Sequence, residues 1–542
     1  MSELGEQLKC VAGISQKEKK RGNDNEDICQ HKKRGTVRNN LAMLVILVVG
    51  SAFLTGCIQN NEFMSERETL SLVELVKQGG NDLFAVPFDR YDAGMKELPI
   101  GVFDSGIGGL AVLEEILRLD QFNNLIHEPG PDGRPDFEYE HFVYLGDQAN
   151  MPYGNYPTEG NVAFLRELII KDVVFLLGER YWPSASADAP RYDKPRVKAI
   201  VIACNTATAY GLEEVRDALR EWGLPVYLVG VIEAGADGAV ENLGERGEGG
   251  AIAVMATVGT CRSGGYPRAI EKSAYEAGIK TPTVIQQECL GLAGAIEGDE
   301  SYITTSGAHR AAEYHGPAVD NPAAPIDTTL TAYYGFETDG LLGDPNSPDT
   351  WQLNSVENYI RYHTTTLVER YRRSNGSEPI SIVILGCTHL TYYADSIATS
   401  FERLREFKTA DGEEPFKKIL AERITLIDPA ELTAERLYEA LTNMKLLLGE
   451  SDEPAIPVDE FHISVPNTGL AGVKLTPGGG FTYDYKYSRA PGDFTVEWVK
   501  RVPMNCKGLP DTIQRSIRMG APEVWKRLVE FSLKSPRTAE LH

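Results

Sequence analysis

Two stretches decide the fold: VKAIVIACNTATA at residues 197–209 and ISIVILGCTHL at residues 380–390. Each is a continuous apolar run rich in Ile and Val, followed by a cysteine and small polar residues. Such a run predicts a fully buried strand of a parallel sheet. The thiols of Cys204 and Cys387 are therefore expected at the C-terminal ends of two strands, the edge at which open α/β sheets bind ligands. Two thiols so placed predict a pair of acid/base groups that work on one substrate.

A buried cysteine commonly does nothing but pack, and either thiol alone fits that interpretation. The pair is different, because residues that suit a ligand site directly follow both thiols: Asn205, Thr206, Thr388 and His389. The sequence therefore favours a functional pair.

The size, hydrophobic content and charge of the chain limit the classes of protein to which it can belong. The chain has 542 residues, 42% of them hydrophobic, which is enough for large cores and for two or three domains. Its formal charge of -24 argues against binding nucleic acid, which needs clustered Lys and Arg. We expect a small-molecule substrate and a solvated acidic surface.

Metal and cofactor motifs are missing from the sequence. The eight cysteines form no CxxC pair and have no metal-type spacing with the nine histidines, so we expect no structural zinc and no other metal. DSGIGGL at residues 104–110 lacks the spacing of a dinucleotide-binding fingerprint. We therefore expect no cofactor.

The beginning of the chain predicts a leader at residues 1–57. After a basic stretch, LAMLVILVVGSAFL at residues 41–54 is too short to span a membrane comfortably and is typical of a signal peptide. The following Thr55, Gly56 and Cys57 resemble the end of a bacterial lipoprotein signal, in which the cysteine is lipidated. Such a protein is membrane-attached and faces the periplasm or the cell exterior. An uncleaved anchor or a mis-called start codon, since Met43 lies inside the run, would instead leave the protein in the cytoplasm.

Strand-like runs alternate with helical patterns from residue 99 onward, which predicts βαβ units and mostly parallel sheets. Stretches rich in Pro, Gly, Asp and Asn interrupt the alternation, the longest at about 301–350, and are expected to be surface insertions. After about residue 450 the sequence suggests a hairpin-like element and closing helices, to which no chemistry can be attached.

Seven motifs now point to a family. They are IGVFDSGIGGLAVL (100–113), VYLGDQANMPYG (143–154), VIACNTATA (201–209), GVIEAGA (230–236), ATVGTCRSGGY (256–266), ILGCTHL (384–390) and LIDPAELTAERL (426–437). Their order resembles that of cofactor-independent glutamate racemases of the aspartate/glutamate racemase superfamily. The resemblance spans about residues 99–444.

This resemblance implies an α/β fold of two similar lobes, with mostly parallel sheets flanked by helices and the active site in the cleft between them. It implies the following division of the chain: leader 1–57, tether 58–97, first lobe 98–232 continued at 423–448, second lobe 233–422, and C-terminal extension 449–542. In particular, the strand RITLID is expected in the first lobe. A homodimer is an option that the sequence leaves open.

Racemisation itself requires two groups, because a Cα proton must leave one face and return on the other. A thiol with its usual pKa of about 8.5 is mostly protonated at neutral pH, so neighbouring groups must favour the thiolate. By resemblance, Cys204 acts on the D-enantiomer and Cys387 on the L-enantiomer, interconverting L- and D-glutamate for peptidoglycan. Supporting groups are Asp104 beside Cys204, and His389 with Glu297 beside Cys387. Asp104 could also cap a helix, a role compatible with catalysis, and Asp147 is a weaker candidate.

Polar residues at successive strand ends match the family's substrate-binding motifs. They are Asp104, Ser105, Tyr153, Gly154, Asn205, Thr206, Thr388 and His389, with Thr257 and Thr260 as further hydroxyl candidates. Each could instead cap a helix.

The chain departs from the family pattern at several positions. Leu390 and Thr391 stand where Tyr and Pro are usual, Asn150 replaces a common basic residue, and Ala234 replaces a frequent Pro. None of these changes removes a proton-transfer group, but they leave open a racemase of aspartate or another acidic amino acid. A third alternative is an exported lipoprotein that binds amino acids without turnover, since D-glutamate is needed in the cytoplasm.

Overall fold

The structure is a computed structural model. It describes residues 72–79, 82–91, 94–246, 249–304, 313–344, 346–505, 509 and 511–541. The predicted leader and Cys57 lie outside the described residues. Within these ranges, no helix is both long enough and apolar enough to cross a bilayer.

Twelve strands lie in the described ranges. They are β1 Ile100–Asp104, β2 Phe142–Gly146, β3 Ala199–Ile202, β4 Tyr227–Gly230, β5 Ala251–Ala256, β6 Val284–Glu288, β7 Leu341–Leu342, β8 Gln352–Leu353, β9 Ile380–Gly386, β10 Leu420–Ile427, β11 Glu460–Pro466 and β12 Val499–Pro503.

The longer helices alternate with these strands. They are Leu110–Arg118, Val162–Leu177, Asn205–Trp222, Val231–Arg246, Gly265–Glu276, Val356–Arg373, Ala394–Arg405, Pro429–Asn443, Asp511–Gly520 and Pro522–Lys534. Shorter helices are Val258–Ser263, Leu292–Glu297, Thr331–Tyr334, Thr388–Thr391 and Tyr483–Tyr487.

Two main sheets organise the molecule. The first has the order β12-β11-β2-β1-β3-β4 and the second β10-β9-β5-β6, while β7 and β8 form a separate pair. All neighbours in the main sheets are parallel except β12, which runs antiparallel to β11. The predicted α/β class with mostly parallel sheets and flanking helices is confirmed. Below, the first lobe is the six-stranded sheet with its helices, and the second lobe is the four-stranded sheet with its helices.

Apolar runs explain why these strands are central. Every residue of β1, β2, β3, β5 and β9 is buried, as parallel strands covered by helices on both faces require. Helix Val162–Leu177 is also apolar nearly all round, because it is buried against the first sheet.

Strand β10, which contains RITLI, corrects the expected lobe boundary. It pairs with β9 in the second sheet, so its assignment to the first lobe is wrong. The chain crosses between lobes just after this strand. Helix Pro429–Asn443 buries Ala434 and Leu437 in the same core as Ile100 and Val102 of β1. The physical reason is that the strand and its following helix bury their apolar sides in different cores.

Both flanking segments pack on the first lobe. In the expected tether, residues 72–77 are helical, Leu72 and Val76 are buried, and Trp222 Nε1 donates to the carbonyl of Val73. In the C-terminal extension, β11 continues the first sheet beside β2. The described part of the predicted tether is therefore part of the folded lobe.

Candidate active site

One pocket contains both cysteines. Cys204 follows β3 of the first lobe and Cys387 follows β9 of the second, and both line the same pocket. The remaining lining residues are Ser105, Pro152, Tyr153, Gly154, Asn205, Thr206, Thr257, Ala293, Thr388 and His389. The pocket lies where the carboxyl ends of the parallel strands of both lobes meet, as expected for open α/β sheets.

Cys204 is the N-cap residue of helix Asn205–Trp222, and its sulfur makes the capping hydrogen bond. Its Sγ accepts a hydrogen bond from the backbone N–H of Ala207 at 3.4 Å and lies 3.7 Å from Ser105 Oγ, to which the thiol donates. Burial and the nearby charges of Asp104 and Cys387 raise the pKa of Cys204. The sulfur therefore carries its proton at neutral pH.

Asp104 uses one oxygen to shape the glycine turn. Its Oδ2 accepts from the N–H groups of Gly106 and Gly109, both at 3.1 Å, while Oδ1 is buried without a hydrogen-bond partner among the described residues. Burial raises the pKa of this carboxyl, although His389 opposes the shift. Oδ2 of Asp104 thus holds the turn, while Oδ1 of the same side chain is left to accept another hydrogen bond.

Cys387 is flanked by a histidine that a carboxylate orients. His389 Nδ1 lies 3.6 Å from Cys387 Sγ, and His389 Nε2 lies 2.8 Å from Glu297 Oε1. Burial lowers the pKa of His389, but its hydrogen bonds to Cys387 and Glu297 outweigh burial and hold the pKa well above the usual value. At neutral pH, a protonated ring donates one N–H to the sulfur and the other to the carboxylate.

The glycine-rich turn after β1, which contains Gly108, packs closely against His389. A Cβ built on Gly108 would lie 2.7 Å from Thr388 Oγ1 and 2.8 Å from His389 Cε1. Such distances are too short for a methyl group. The contact between the lobes therefore requires glycine at this position.

Three threonine hydroxyls bridge the lobes. Thr206 Oγ1 lies 2.9 Å from Thr257 Oγ1 and 3.0 Å from Thr260 Oγ1, and the last two are 3.0 Å apart. Nearby, Tyr266 donates its O–H to Asn205 Oδ1 at 2.6 Å. These contacts fix the start of helix Asn205–Trp222 against the second lobe.

Tyr153 directs its hydroxyl to a buried pair of carboxyls. The oxygen lies 2.5 Å from Asp147 Oδ2 and 2.6 Å from Asp172 Oδ2. Burial and the charge of Asp147 raise the pKa of Asp172 to about 7, against the opposing effect of Arg501. One hydroxyl carries one hydrogen, so both contacts are hydrogen bonds only when one carboxyl is protonated and donates.

The predicted site residues fall into two groups. Most line the pocket, but Asp104, Glu297 and Thr260 do not. Glu297 and Thr260 contact the lining residues His389 and Thr206, and Asp104 directly precedes the lining residue Ser105. Tyr153 contributes its ring and backbone, since its hydroxyl is engaged elsewhere, and Asp147 serves to hold that hydroxyl.

Sequence reasoning missed several residues around the site. Pro152 and Ala293 line the pocket, and Asp172, Lys486, Arg489 and Arg501 surround the loop that carries Tyr153. Asp172 left a signal: an acidic residue within the apolar helix run LIIKDVVFLL predicts a buried polar partner. Pro152 and Ala293 are apolar, and the sequence gives no comparable signal for them.

Comparison with known proteins identifies relatives, although no protein-family model matches the chain. The glutamate racemase of Enterococcus faecalis is 38% identical over 175 residues, 32% of this chain and 47% of that protein. That of Pseudomonas syringae pv. tomato is 31% identical over 201 residues, 37% and 54% of the two chains. The resemblance to glutamate racemases is confirmed. The chain spans about half the length of these two curated relatives.

The chain is also similar to a further curated protein over a longer stretch, and to two solved structures. The glutamate racemase of Bifidobacterium adolescentis is 25% identical over 360 residues, 66% of this chain and 90% of that protein. Among structures, glutamate racemase from Bacillus anthracis has a TM-score of 0.39 and 23% identity, with 68% of this chain and 88% of that chain covered. Glutamate racemase from Francisella tularensis in complex with D-glutamate has a TM-score of 0.35 and 21% identity, with 68% and 88% covered.

Proposed function

We propose that this protein is a glutamate racemase, which interconverts L- and D-glutamate by proton transfer at Cα between two cysteines. One observation supports this above the others: Cys204 and Cys387 come from different lobes, line one pocket and have different neighbours. Burial and Asp104 keep the proton on Cys204, while a protonated His389 faces the sulfur of Cys387. A two-base reaction needs one base and one acid at its start.

The proton transfer balances over one turnover. The Cys387 thiolate takes the Cα proton of L-glutamate, and the thiol of Cys204 gives its proton to the opposite face of the resulting carbanion. The product is D-glutamate, with Cys387 now a thiol and Cys204 a thiolate. The reverse reaction begins from that arrangement.

The pocket also offers groups that hold an amino acid. The buried, unpartnered Asp104 Oδ1 can accept a hydrogen bond from the substrate ammonium. The N-terminus of helix Asn205–Trp222 suits a carboxylate, because free N–H groups and the helix dipole favour negative charge there. The hydroxyls of Thr206 and Thr257 supply further donors. Such fixation leaves the motion of the reacting centre to the Cα atom.

Deuterium incorporation tests the function directly. The purified, reduced protein is incubated with L-glutamate in heavy water, and Cα deuteration and D-glutamate are followed by NMR and chiral chromatography. Racemisation predicts that both appear together. Folded protein with reduced thiols that exchanges no Cα proton would overturn the proposal.

Two other functions are separated by the same assay. A panel that includes aspartate decides between acidic substrates, which the unusual Leu390 and Thr391 leave open. A binding protein without turnover would keep its amino-acid affinity and show no exchange in wild type, and replacement of either cysteine by Ser would change nothing further.

We also propose, from the sequence of the leader, that Cys57 is lipidated and that D-glutamate from this enzyme serves peptidoglycan synthesis. Growth of a bacterium that requires D-glutamate tests both. Expression of residues 58–542 should restore growth, because the product then forms in the cytoplasm. The full chain should appear in the membrane fraction, and Cys57→Ser should release it. A full chain that stays soluble would contradict lipidation.

A further inference from the structure

The C-terminal extension, residues 449–542, lies outside the stretch that resembles racemases, yet it contacts one wall of the pocket. That wall is the pocket loop, residues 148–156, which presents Pro152, Tyr153 and Gly154 to the cavity. Contacts from the extension reach successive residues of this loop. Ser464 of β11, for example, accepts the backbone N–H of Ala149 at 3.0 Å.

Lys486 and Tyr487 hold the backbone of the loop. Lys486 Nζ donates to the carbonyl of Met151 at 2.5 Å, and Tyr487 donates its O–H to the carbonyl of Pro152 at 3.1 Å. Lys486 is 9% exposed. A buried ammonium is costly unless it is well paired, so its placement against a loop carbonyl indicates a specific constraint on the loop.

Arg489 reaches the position at which the chain departs from its relatives. Its guanidinium donates to Asn150 Oδ1 at 2.5 Å and to the Tyr156 hydroxyl at 3.2 Å. Asn150 in turn donates to both oxygens of Asp147, at 2.9 and 2.8 Å. The extension thus places a guanidinium against Asn150, the position at which the racemase motif usually carries a basic residue.

Arg501 completes the support through the carboxyl pair. It donates to Asp172 Oδ1 at 2.8 Å, and Asp172 contacts the Tyr153 hydroxyl. The extension therefore reaches the loop on both sides of Gly154, a residue with no room for a side chain, since a Cβ there would lie 2.6 Å from Thr257 Cβ.

We propose that the C-terminal extension is a working part of the active site, in which Lys486 and Arg489 are positioning residues that set the pocket loop for substrate. Arg489 supplies from a distant part of the chain the basic group missing at position 150. The inference rests on the proposed racemase function for its kinetic readout. It also predicts an effect on the loop itself that needs no turnover.

The experiment measures two quantities in the full chain. One is kcat and KM for L-glutamate, and the other is the backbone hydrogen exchange of residues 148–156, followed by mass spectrometry. The variants are Lys486→Met and Arg489→Met, which keep most of the side-chain volume. Lys474→Met is the matched control, because Lys474 is exposed in the same extension.

The positioning role predicts that KM rises roughly 10-fold or more, as loss of a charge-assisted hydrogen bond implies, with a smaller change in kcat. Exchange within the loop should rise roughly 10-fold, while exchange in β5 and β9 and the melting temperature stay close to wild type. Lys474→Met should change none of these. Unchanged KM and unchanged loop exchange in both variants would overturn the proposal.

A second variant covers the case in which a single substitution unfolds the protein. Asn150→Arg combined with Arg489→Met returns the basic group to the loop and should recover at least part of the lost KM effect and loop protection. Failure of this double variant to improve on Arg489→Met would contradict the assigned role of Arg489. If the wild-type chain turns over no glutamate, the function proposal fails alone, and loop exchange then decides the positioning role.

Discussion

Cys387 Sγ lies 3.6 Å from His389 Nδ1, while the opposite nitrogen of the same ring lies 2.8 Å from Glu297. The carboxylate therefore acts on the sulfur through the ring. No equivalent cation faces Cys204 among its hydrogen-bond partners in the described residues, which are Ser105 and Ala207. The two thiols are thus related by position but not by environment.

The carboxylate behind His389 should control the pH range of activity. Glu297→Gln replaces a charged acceptor that raises the pKa of His389 with a neutral one, so the ring loses its proton at lower pH. We expect kcat/KM to fall about 10- to 100-fold, as for a lost charge-assisted hydrogen bond, and the alkaline limb of the rate profile to move to lower pH. The fall must be equal for L- and D-glutamate, because the equilibrium constant between enantiomers is one.

Glu288→Gln is the matched control, since Glu288 pairs with Arg262 at the surface. Its pH profile should follow wild type. An unshifted alkaline limb in Glu297→Gln would show that His389 does not govern the active thiolate.

Single-cysteine variants should separate the two halves of the reaction. Cys204→Ser keeps the Cys387 base, so L-glutamate should gain deuterium at Cα in heavy water without conversion to D-glutamate. Cys387→Ser should show the converse, with exchange into D-glutamate alone. Racemisation should fall by at least about 100-fold in both, the lower range for a lost general acid or base. Exchange into the wrong enantiomer would reverse the assignment of the cysteines.

The buried carboxyl of Asp172 should make stability depend on pH. Its pKa of about 7 exceeds the unfolded value of about 4, so the folded state keeps a proton that the unfolded state releases. Its contribution to stability is full below about pH 4 and is lost as pH rises to about 7, with a slope of at most about 1.4 kcal/mol per pH unit. Asp172→Asn should flatten this slope.

Urea denaturation at pH 5, 6, 7 and 8 measures that slope independently of any uniform loss of stability. A loss of stability that is the same at every pH, from the changed contacts with Tyr153 and Arg501, does not alter this slope. The prediction concerns only the difference between pH values. Parallel curves for wild type and Asp172→Asn would contradict it.

Gly108→Ala should impair activity through the contact between lobes. The added methyl would meet Thr388 and His389, and overpacking of this kind costs roughly 1–3 kcal/mol. We expect displacement of His389 and a fall in kcat/KM of roughly 10-fold or more. Gly244→Ala, on a helix position with open space around it, is the control and should keep full activity. Equal kinetics in the two variants would show that the turn can move aside freely.

Much of the sheet architecture was predictable because buried parallel strands are read from short apolar runs. The paired cysteines were predictable for the same reason, since a strand end positions the next residue at the ligand-binding edge. Strand β10 was assigned to the wrong lobe because its pairing with β9 depends on packing between distant parts of the chain. Local sequence shows that a strand forms but not which lobe receives it.

The missed support around Tyr153 has a similar cause. Lys486, Arg489 and Arg501 resemble ordinary charged residues in the sequence. Only the fold brings Lys486 and Arg489 to the pocket loop, and Arg501 to Asp172, each more than 300 residues earlier in the chain. Asp172 was more accessible to reasoning, because a carboxylate within an apolar helix must find a partner. Long-range polar pairing therefore limits prediction more than secondary structure does.

The position of β12 in the first sheet also has a consequence for the order in which the active site is completed during protein synthesis. Residue 501 lies on β12, which comes last in the chain among the strands of this sheet, so Arg501 can reach Asp172 only after the other five strands have been synthesised. Both cysteines and their supporting groups leave the ribosome before that strand exists. The nascent chain therefore holds its reactive thiols for some time beside an unfinished pocket wall, and we expect activity to appear only once nearly the whole polypeptide has been made.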